Sequence, residues 1–122
     1  MSLPASWVAV RRPSDGELVG FLVPDGERCC PATVFGYVLG PPTSEAEARA
    51  VLIAGGLDVL DEHWVLVHES VDRPMVVEIA EASPERVVVQ TLHYALAGGR
   101  GSRWELPVPL AGVLLRQTDL YR

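Results

Sequence analysis

The chain contains no lysine and no asparagine, and its only isoleucines are Ile53 and Ile79. All ten basic residues are therefore arginine. The missing or rare residues are those of A/T-rich codons, while Arg, Ala, Gly, Pro and Val come from G/C-rich ones. The bias points to a high-GC bacterial genome, not to selection for guanidinium chemistry. Cysteine is almost as scarce: Cys29 and Cys30 are adjacent, which is neither the Cys-x₂-Cys spacing of a zinc knuckle nor a disulfide framework. Long apolar runs are absent too. Leu110–Leu115 falls far short of the ~20 residues that span a bilayer. Met1 to Ser6 carries no basic residue and Trp7–Val10 is too short for a signal h-region, so a cytoplasmic location is expected.

Motifs that would announce chemistry are missing as well. There is no Gly-x-Ser-x-Gly elbow for a Ser-His-Asp triad. Gly98-Gly99-Arg100-Gly101-Ser102-Arg103 matches neither the Walker nor the dinucleotide spacing, and it lies between strand patterns instead of opening a helix. His63 and His68 are five apart and point to opposite faces of a strand, so they share no metal ion there. No cofactor is expected, and no metal. Cys29 or Cys30 with a histidine would suit a thiol hydrolase, but the pair reads as lying in a turn, not at a helix N-terminus that would activate it. Glu62–His63 and His68–Glu69 read as solvated strand ends more readily than as acid–base pairs.

Sixteen acids against ten arginines leave a net charge of −6. The excess is local. Residues 41–70 hold six acids against Arg49 alone, for −5, whereas residues 71–122 balance six against six. A negative domain repels phosphate backbones, so nucleic acid is not an expected partner, and an RNA-binding role for Arg11, Arg12, Arg100 and Arg103 runs against the charge. The acidic middle reads as a solvated face, or as a surface for a basic partner.

What is present is β-pattern. Met75, Val77 and Ile79 alternate with Val76, Glu78 and Ala80; after Ser83-Pro84-Glu85, Val87, Val89 and Thr91 alternate with Arg86, Val88 and Gln90. That is a hairpin. Trp7–Val10 and Glu17–Val23 form another around Pro13-Ser14-Asp15-Gly16, with Gly20 marking a bulge or a close crossing. Further strands are expected at Ala32–Leu39, His63–Glu69 and Trp104–Val108. Leu57–Leu60 reads as a short strand or an extension, and Leu110–Leu115 as a segment packed on the body. Trp7, Trp64 and Trp104 open strands and should anchor the core rim. Ser44 with Glu47 makes a capping box. It predicts one amphipathic helix at about 44–55 with Ala48, Val51 and Leu52 inward and Gly55-Gly56 as its stop.

With 122 residues the chain is expected to form one globular domain. It is an α+β fold: a mostly antiparallel, strongly bent sheet or partly open barrel of about seven strands with that one helix. No internal repeat appears. Two functional classes follow. The first is a non-catalytic domain that binds a protein partner or forms a homodimer, because sheet edges invite pairing. The second is a ligand-binding or enzymatic β-barrel with a pocket under the 93–103 loop. There Arg100 and Arg103 would hold an anion, with His93 and Tyr94 as further ligand-binding groups.

Overall fold

The computed structural model describes residues 3–69, 72–92, 102–110 and 112–117. Three strands, β1 (Val8–Arg11), β2 (Leu18–Asp25) and β3 (Arg28–Ala32), form an antiparallel sheet in the order β1-β2-β3. The helix α1 (Glu45–Gly55) and a 3₁₀ turn (Asp58–Asp61) follow. Then come β4 (His63–Leu66), β5 (Met75–Ala82), β6 (Arg86–Thr91), β7 (Arg103–Pro107) and β8 (Leu114–Arg116). These five make a second antiparallel sheet in the order β7-β6-β5-β4-β8. The fold is α+β with eight strands and one helix among the described residues, and neither sheet closes into a barrel.

The third strand differs from its expected span. Ala32–Leu39 does not run on as a strand; β3 ends at Ala32. The Thr33 hydroxyl accepts the Tyr37 amide at 3.0 Å and the Thr33 amide donates to the Tyr37 carbonyl, which folds the chain back until Val38 stands opposite Ala32. The Val, Phe and Tyr of this stretch serve tertiary packing. Phe35 and Tyr37 meet Trp64 edge-on, with ring centroids 5.4 and 4.9 Å apart, a favoured aromatic geometry. The loop thus plugs the core of the second sheet.

Two cores result. One gathers Phe35, Trp64, Leu66, Val77, Val89 and Leu106 under the five-stranded sheet; the other holds Val10, Val19, Leu22, Cys29, Ala48 and Leu52 between the three-stranded sheet and α1. Leu39 and Leu57 touch both. Trp64 is fully buried and donates its indole N–H to the Val59 carbonyl, so the 3₁₀ turn that replaces the expected strand or extension at 57–60 satisfies that donor. Ser44 caps α1 by accepting the Glu47 amide. Val51 corrects the expected apolar face: Ala48 and Leu52 are buried, while Val51 is 47% exposed, about 100° round the helix from Leu52.

Leu110–Leu115, expected only to pack on the body, supplies the eighth strand. β7 and β8 occupy opposite edges and run parallel, since each lies an even number of antiparallel steps from the other. Four strand spacings across and the length of β5 along would put the two ends about 30 Å apart on a flat sheet. The seven residue steps from Pro107 to Leu114 reach about 24 Å at most. The sheet must therefore curl, and Val108, Leu110 and Val113 of the connection pack against its concave core.

Candidate interaction surface

Directly opposed residues of an antiparallel pair share a face, so the registers define what each sheet shows to the outside. On the five-stranded sheet, Arg103, Gln90, Glu78 and His63 form one continuous row across β7, β6, β5 and β4. Its members are linked. Arg103 Nε donates to Gln90 Oε1 at 3.1 Å, and Gln90 Nε2 donates to Glu78 Oε1 at 2.7 Å. Further along the same face Arg86 bridges Glu81 and Glu105 at 3.8 and 3.2 Å. At the β8 edge, Asp61, Glu62, His63 and Gln117 border an open concavity. Glu62 is engaged there by a bidentate Arg116, at 2.8 Å to each oxygen, and the Arg116 amide donates to the Tyr37 hydroxyl. The rows of charged and amide side chains on this face are hydrated, while Val76, Val65 and Leu115 form an apolar row beside them.

The three-stranded sheet is built the other way. Its row on the side away from α1 runs Ala9, Phe21, Ala32, Val38 across β1, β2, β3 and the returning segment. Beside it Val23 faces Cys30. Phe21, Val23 and Cys30 are half-buried yet belong to neither core, and Val38 is 45% exposed. None of the six is charged. A half-solvated antiparallel sheet ordinarily alternates apolar-in with polar-out; the first sheet departs from that rule here, and the second departs from it where Val76, Val65 and Leu115 stand opposite one another on the same face as Glu78 and His63. The far edge of β3 is covered by the 38–43 segment through bonds between Cys29 and Thr43 and between Leu39 and Pro31. Among the described residues, no strand pairs with the outer edge of β1.

The cysteines lie in β3 and not in the turn where sequence reading places them. Strand alternation sends Cys29 into the helix-side core and Cys30 to the apolar outer face. Burial, and after it the neighbouring Asp25 and Cys29, push the Cys30 thiol above its ordinary pKa, the reverse of what a nucleophile needs. His63 stands exposed on the other sheet, remote in the topology from both thiols. Among the described residues no three His, Cys, Asp or Glu side chains gather where they could hold a metal ion.

Of the residues assigned to an anion site, Arg103 is on β7 and spends its Nε–H on Gln90. His93, Tyr94 and Arg100 lie outside the described residues. The Ala9–Phe21–Ala32–Val38 row was not anticipated, yet one signal for it is legible. Leu18–Val23 is an unbroken apolar run save for Gly20, the pattern of a strand covered on both faces. Comparison with protein-family models, with curated proteins and with solved structures finds no match.

Proposed function

We propose that this is a non-catalytic domain that binds a protein partner or a second copy of itself through the outer face of the three-stranded sheet. One observation carries the reading: in the uncharged cross-strand row Ala9, Phe21, Ala32 and Val38, Ala9 and Val38 are exposed and Phe21 is half-buried outside both cores, while Ala32 between them is fully buried. Contiguous apolar surface on a folded domain marks an interaction site far more often than chance exposure does.

No helix among the described residues is long and apolar enough to cross a membrane. The test is site-directed photo-crosslinking. A photoreactive phenylalanine analogue replacing Val38 should give one discrete crosslinked species under native conditions, and the same analogue at Glu105, an exposed position beside Arg86 on the five-stranded sheet, should give none. Equal yields at both positions, or none at Val38, would overturn the assignment.

A further inference from the structure

We draw no further inference here: the strongest candidate, the concavity at the start of α1 bordered by Glu27, Arg28, Thr43, Ser44 and Glu47, rests on a helix N-terminus and its own acidic first turn, and nothing among the described residues shows what would occupy it.

Discussion

Leu52 of α1 rests on Gly20 of β2: a Cβ at Gly20 would stand 2.8 Å from Leu52 Cδ2 and would also intrude on the Ala32 carbonyl oxygen. Gly20 sits at φ +153°, where side chains are disfavoured, and the β1–β2 register shifts beside it. The bulge and the close crossing are one device. The extra residue turns Val19 into the helix-side core beside Val10 and Leu22, and glycine lets the helix descend onto the sheet. Gly20→Ala should cost about 3 kcal/mol from strain and overpacking, read as a lower urea midpoint at unchanged slope. If the crossing is real, Leu52→Ala should cost measurably less in the Gly20→Ala background than alone, because the two share one contact.

The bidentate pair of Arg116 with Glu62 pins the three-residue strand β8 to the start of β4. Its side chains are only 20% and 33% exposed, so it should outperform a surface ion pair without reaching the value of a buried one. Arg116→Ala should destabilise by about 1–2 kcal/mol. The loss should be local: amide exchange at Leu114 and Leu115 should accelerate well before that at Val87 and Val89.

Asp15 is held at a pKa of about 2, below the usual 3.8, first by its hydrogen bond to Arg12 and next by the Glu17 amide. A carboxyl depressed by folding contributes stability above its unfolded pKa and loses it as pH falls through the folded one. The contribution is therefore complete above about pH 4 and fades towards pH 2. A carboxyl NMR titration should place the Asp15 midpoint near 2 and return it towards 3.8 in Arg12→Ala.

Cys30 should react slowly with iodoacetamide at neutral pH, because burial and the Asp25 charge both raise its thiol pKa and only the thiolate attacks. Asp25→Asn removes one cause and should speed alkylation. An unchanged rate would mean that burial and the neighbouring Cys29 govern the thiol without Asp25.

Sequence periodicity determined much of this molecule. The Met75–Thr91 hairpin, the Ser44 cap and the stop of α1 are local: alternation, turn chemistry and helix-end hydrogen bonding act over a few residues and need no distant partner. Gly20 belongs with them, since an interior glycine declares that something approaches closely. Tertiary structure alone decided the rest. Phe35 and Tyr37 look like strand residues until Trp64 is placed beneath them. Arg116 and Glu62 are 54 apart along the chain and meet only because β8 pairs with β4 at the edge of the sheet opposite β7. The apolar row of Ala9, Phe21, Ala32 and Val38 exists only once three registers are set, because a face is a property of pairing, and pairing between separate segments is fixed by how the whole chain packs.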